Sequence, residues 1–247
     1  MKRLFEAARL KIKRAKQNIN DIDALLRDSL AKYAYSISVE YNANIGCDLI
    51  RLKAPRMTPD EFSPLLATAL HNLRTALDSA WLDVAFDSPS VIEFPVYQTR
   101  NDLESAAEST LKHQAPEHII NFLMEVIQPY EGGDGEPIWA LHGLDIKAQH
   151  GRSLHLDYQF IQGIRAIDDR GEEFAIPDLT FVPPHSFARR CDGRRNVKIT
   201  DNGKPMLSVT FNDRLPMEGQ LILPAIGELA VFVSGTIDCI EAAFFAE

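Results

Sequence analysis

The sequence predicts an α+β fold: a mainly helical first part with a short hairpin, then an antiparallel β part closed by a C-terminal helix. Three observations carry this. Apolar residues recur at helical spacing through the first half, most regularly at Phe62, Leu66, Leu70, Leu73, Leu77, Trp81 and Val84. From residue 153 the pattern turns to alternation near a period of two, as in Leu154, Leu156, Tyr158 and Phe160. Helical spacing returns at Ile226, Leu229, Val233, Ile237, Ile240 and Phe244. Helices segregated from strands imply α+β rather than a doubly wound parallel sheet. The expected division is 1–152, helical with a hairpin inserted at 35–55, and 153–247, antiparallel β with the terminal helix.

Taken in order, residues 2–33 read as one long helix with Leu4, Ala8, Ile12, Ile19, Ile22 and Leu26 on one stripe. In 35–55, Tyr35, Ile37, Val39 and Tyr41 alternate, Asn42–Gly46 turns, and Asp48–Lys53 returns, which is a hairpin pattern. The second helix is expected to start at Thr58 as N-cap, with Pro59 in the first helical position and Asp60 and Glu61 at the positive end of the dipole. It should stop before Pro89. Ile92–Tyr97 reads as a short extended piece, followed by helices at about 100–112 and 116–127. Glu131–Glu136 is a glycine-rich loop, and a further helix starts at Pro137. In the β part, a strand at 154–160 precedes the turn Asp169-Arg170-Gly171 and the segment Glu173–Ile176. Val197 and Ile199 face Leu207, Val209 and Phe211 across Asp201-Asn202-Gly203, a hairpin signature because Asn-Gly supplies positive φ angles. Residues 219–223 are expected to add one more strand.

The chain has 247 residues, 45% hydrophobic and 25% charged, which excludes disordered and low-complexity classes. Its 26 basic and 35 acidic side chains give a net charge of −9, so a uniformly basic surface for nucleic acid is excluded. The distribution is uneven. Lys2, Arg3, Arg9, Lys11, Lys13, Arg14 and Lys16 stand against Glu6 alone, so the first helix is a local cationic surface that nucleic acid could meet. Cys47, Cys191 and Cys239 form no C-x-x-C pair, which points to free thiols in a reducing cytoplasm and to no structural zinc. The N-terminus carries charges where a secretory signal needs apolar residues. Leu221–Ile237 is broken by Pro224, Gly227 and Glu228, so no membrane span is expected. No H-E-x-x-H, G-x-S-x-G or phosphate-loop motif is present, and no cofactor is implied.

Candidate chemistry concentrates in three places. His71, Arg74 and Asp78 stand at i, i+3 and i+7 on one side of the second helix, an arrangement suited to acid–base work or to holding a phosphate. The same spacing also suits polar residues that border a core stripe. Asp145, Lys147, His150, Arg152 and His155 lie at the junction of the last early helix and the first late strand. There His150 is a candidate base and Arg152 an electrostatic partner, or the group is a polar helix end. Arg189, Arg190, Arg194, Arg195 and Lys198 flank an Asp-Gly turn, where paired arginines are suited to an anion or equally to a solvated hairpin. The clustered glycines of 131–136 are a further candidate for close approach to an anion.

Three segments, LHNLRTALDSAW (70–81), IQPYEGG (127–133) and WALHGLDIKAQH (139–150), with IEFPVY between the first two, stand in a recognisable order. Together they resemble a widespread group of bacterial and phage-associated proteins of no settled activity, over about residues 35–155. The resemblance matches Asn72, Arg74, Asp78, Asp145 and His150. It departs where the group ends its third motif in Asp-Lys-His-Arg, since Ala148, Gln149 and Gly151 stand here and Arg152 is shifted by one position. The resemblance implies an architecture and candidate residues but no reaction. Helical HEPN-type ribonucleases carry Arg followed by His after four to six residues, and none of the seven His has such an Arg upstream.

The expected function is therefore a cytoplasmic binding or interaction protein, able to form oligomers, with nucleic acid, an unidentified ligand or another protein as partner. The alternative is a phosphodiester or phosphate-ester hydrolase, ribonuclease-like, using His71, Arg74, Asp78, Asp145 and His150. Convergence of those five side chains in one open pocket would favour the enzyme.

Overall fold

A computed structural model describes residues 4–32, 36–53, 62–85, 93–149, 156–160, 164–176, 179–181, 187–191, 193–200, 207–212 and 215–246. The fold is α+β, with six helices and small antiparallel sheets among these residues. Helix α1 (Glu6–Lys32) packs along α2 (Ser63–Val84) and buries Ala8, Ile12, Ala15, Ile22 and Leu26. Just before α1, Phe5 is fully buried, and its N–H donates to Asp83 Oδ2 of α2 at 2.7 Å.

Helix α2 is buried on much of its circumference, because Ala69, Ala76 and Ala80 add to the leucine stripe. It starts later than the sequence predicts. Phe62 occupies the N-cap without a side-chain cap bond, and Pro64 lies in the first turn. A helix begun at Thr58 would need an N–H at position 64 to bond residue 60, and proline has none. Thr58–Glu61 themselves lie outside the described residues.

A segment without regular secondary structure, Glu93 to Thr99, follows, with the Tyr97 N–H bonded to Pro129 O at 3.0 Å. Helix α3 (Arg100–Ser109) opens with a capping box between Thr99 and Asp102, and a 3-10 turn (Leu111–His113) ends that stretch. Helix α4 (Glu117–Phe122) runs into a π-type turn (Leu123–Ile127) that ends at Gln128 with φ 52°. The loop before α5 (Glu136–Gln149) folds back on this turn. A Cβ at Gly133 would lie 2.4 Å from Gln128 O, and one at Gly135 2.4 Å from Ile127 O. These glycines thus approach the chain's own carbonyls, which accounts for them without an anion.

Among the described residues the strands form three small sheets. β1 (Ser36–Asn42), β2 (Cys47–Lys53) and β7 (Phe187–Arg190) pair in that order, with Leu49 opposite Arg190 and Leu52 opposite Phe187. β3 (Leu156–Phe160) lies between β6 (Leu179–Phe181) and β9 (Leu207–Phe211). β4 (Ile164–Ile167) lies between β5 (Glu173–Ile176) and β8 (Lys198–Ile199). The two flanks of Asn202-Gly203 therefore enter different sheets, since β8 pairs with β4 and β9 with β3, instead of forming the expected hairpin. The Asn-Gly turn itself lies outside the described residues.

Residues 219–223 add no strand. One bridge joins Leu221 to Thr210, and α6 (Ile222–Phe244) then begins with Pro224 in its first turn, where a missing N–H costs nothing. The helix runs through Gly227 and Glu228 unbroken. By length and composition alone α6 is long and apolar enough to cross a membrane. Its buried side, Ile226, Leu229, Val233, Ile237 and Ile240, belongs to the same core as α1, α2 and the strands.

Candidate functional site

The candidate site is a polar seam between α2 and α5. His71, Arg74 and Asp78 follow one another at i, i+3 and i+7 on α2. On α5, His142, Asp145 and Gln149 have the same spacing. The two rows run antiparallel: His71 meets Asp145 and Gln149, while Arg74 meets His142.

At the outer end, His71 Nδ1 lies 3.3 Å from Asp145 Oδ1 and 3.0 Å from Gln149 Nε2. Gln149 also donates to Asp145 Oδ2 at 2.8 Å. The two contacts are alternatives set by the tautomer: with hydrogen on Nδ1 the ring donates to the Asp145 carboxylate, and with Nδ1 bare it accepts from the Gln149 amide. The His71 side chain is 51% exposed and that of Asp145 only 6%. Burial pushes the Asp145 carboxyl above its ordinary range, and His71 and then Arg74 partly oppose this.

At the inner end, Arg74 is a buried cation. Its Nη1 donates to Asp78 Oδ1, its Nη2 donates to Phe94 O at 3.0 Å, and its Nε donates to His142 Nδ1 at 3.2 Å. The same Asp78 oxygen accepts from the Phe94 N–H at 2.8 Å. Arg74 and Asp78 thus hold both backbone groups of Phe94, whose ring packs edge-on against Trp81 at 5.8 Å. Because His142 Nδ1 accepts, its hydrogen is on Nε2. Burial, then the nearby Arg74 charge, holds His142 below the usual imidazole range.

Four of the five expected catalytic residues, His71, Arg74, Asp78 and Asp145, meet in this seam. His150 and Arg152 lie outside the described residues. Arg194 is tied into the β part, and Arg195 reaches the early hairpin. Arg194 donates to Asp168 Oδ2 at 3.2 Å and lies 4.3 Å from the Phe174 ring centroid. Arg195 donates to Gly46 O at 3.4 Å and lies over Tyr41. Burial would raise the Asp168 carboxyl, but the amides of Glu172 and Arg170 and the Arg194 guanidinium hold it below its ordinary range. Arg189 and Arg190 lie on β7, opposite Ile50 and Leu49. His142 and Gln149 were not among the expected site residues. Their signal was the shared i, i+3, i+7 spacing with Asp145.

Among the described residues no cluster of His, Cys, Asp and Glu is arranged to hold a metal ion. Comparisons with protein-family models, with curated proteins and with solved structures return no match for this chain.

Proposed function

We propose that this chain is a cytoplasmic binding or interaction protein that does not turn over what it holds. The observation that carries this reading is the use made of Arg74 and Asp78. A phosphate-ester hydrolase would need the arginine facing the substrate and the aspartate free for proton transfer or orientation. Here Arg74 is neutralised by Asp78 and anchored to Phe94 O, and one Asp78 oxygen accepts from both Arg74 and the Phe94 N–H. The motif residues that resemble the bacterial and phage-associated group serve, on this reading, as a scaffold. Asn72 fits the same role, since it donates to Asn18 on α1 at 3.3 Å.

A partner surface consistent with this reading is the cationic face of α1. Lys13, Arg14 and Lys16 are exposed there, whereas Lys11 donates to Thr75 O and Arg9 pairs with Asp238 and Glu241. The hydrolase reading retains one specific support, the His71–Asp145 pair, in which a buried carboxylate orients a half-exposed imidazole. The test incubates the full chain with labelled RNA and with phosphate esters, beside His71→Ala and Asp145→Asn. The binding reading expects no turnover that depends on either side chain. Turnover abolished by both substitutions would overturn it in favour of the hydrolase.

A further inference from the structure

Next to the inner end of the seam lies an open cleft of about 310 Å³, at the small end of ligand-site volumes. Its polar lining is Arg74, Glu93, Tyr97, Thr110, Gln114 and His142, and Pro95 and Leu111 supply apolar walls. Two features of this lining are incomplete. A guanidinium has five N–H groups, and the three bonds to Asp78, Phe94 and His142 leave two of them without an acceptor among the described residues. Arg74 is buried, so unmatched donors there are costly unless something at the cleft accepts them. His142 accepts at Nδ1 and therefore presents an Nε2–H, which also has no acceptor among the described residues.

The charges then limit what fits. Arg74 is neutralised by Asp78, and the exposed Glu93 carboxylate acts electrostatically on His142. With His142 neutral, Arg74, Asp78 and Glu93 together leave one net negative charge, which disfavours a phosphate or carboxylate ligand. The donors call for a neutral acceptor, and Glu93 calls for an N–H.

We propose that this cleft binds a small neutral or singly cationic molecule that presents a carbonyl-type acceptor beside an N–H donor, the chemistry of an amide, a lactam or a nucleobase. The acceptor meets the spare Arg74 and His142 N–H groups, the donor meets Glu93, and the flat face lies against Pro95 and Leu111. This deepens the binding reading, but the two fail separately: turnover that depends on His71 would end that reading without touching the cleft's ligand chemistry.

The experiment titrates the full chain with cytosine, nicotinamide and inorganic phosphate, following thermal stabilisation and ligand-observed NMR. Cytosine or nicotinamide should bind in the millimolar range and phosphate should not. Glu93→Gln, an exposed change that leaves the core intact, should weaken binding roughly tenfold, the loss of one charge-assisted hydrogen bond. His142→Ala should weaken it similarly if that variant folds. No binding of either neutral probe, phosphate binding in their place, or undiminished binding to Glu93→Gln would overturn the proposal.

Discussion

Asp78 Oδ1 accepts from Arg74 and from the Phe94 amide at the same time, so removing this one carboxylate strands two donors. Asp78→Ala leaves a buried guanidinium unneutralised, and breaking such a pair costs about 3 kcal/mol. Urea denaturation should show that loss at neutral pH, and Asp78→Asn, which keeps an acceptor oxygen, should recover part of it. His142 gives a pH prediction. Its folded value lies below the ordinary 6.5, so between the two values the unfolded chain binds more protons. Stability from this group is therefore present above about 6.5 and falls as pH drops below it. Asp145 acts in the opposite sense, since its folded value lies above 3.8 and acid favours the folded state in that window. Denaturation midpoints at about pH 5 and about pH 7.5 should differ less in His142→Gln than in the unmodified chain.

At the scale of elements, the seam was half legible. The i, i+3, i+7 row of His71, Arg74 and Asp78 is written on one helix, and periodicity exposes it. That Arg74 bonds Phe94 depends on a segment sixteen residues beyond Asp78 folding back, which no local spacing specifies. His142 escaped notice because its partner is on another helix. The start of α2 was misread because a good N-cap at Thr58 outweighed the proline at 64, although the missing N–H was visible in the sequence. The Asn202-Gly203 turn favours a hairpin locally, yet β8 and β9 found partners in β4 and β3, and such pairing is decided by tertiary packing. The loop before α5 offers a further test. Gly135→Ala places a methyl against Ile127 O, and backbone must move to admit it. A destabilisation of about 1–3 kcal/mol in chemical denaturation is expected, whereas Gly227→Ala on α6, where a Cβ meets nothing within 4 Å, should be neutral or stabilising.

Across the whole molecule, the net charge of −9 coexists with an exposed cationic face on α1. If nucleic acid is the partner, neutralising Lys13, Arg14 and Lys16 should reduce the slope of log affinity against log salt by about 2–3, the release of up to three counterions. Neutralising Lys11, already bonded to Thr75 O, should change it little. An affinity independent of all four would remove this face from the binding surface. The α+β class was legible because it rests on long periodic stretches, and those survive errors at their ends.

The pairing of β2 with β7 also has a consequence for synthesis on the ribosome. β2 is the middle strand of its sheet, yet its second neighbour lies more than a hundred residues later in the chain. Until that distant strand emerges, one margin of the early hairpin has unpaired amides and carbonyls open to any extended chain nearby. A fragment ending at Gln149 should therefore self-associate at concentrations where the full chain stays monodisperse, as sedimentation would reveal. A nascent chain must keep that margin covered, by speed or by a chaperone, until its own later strand arrives.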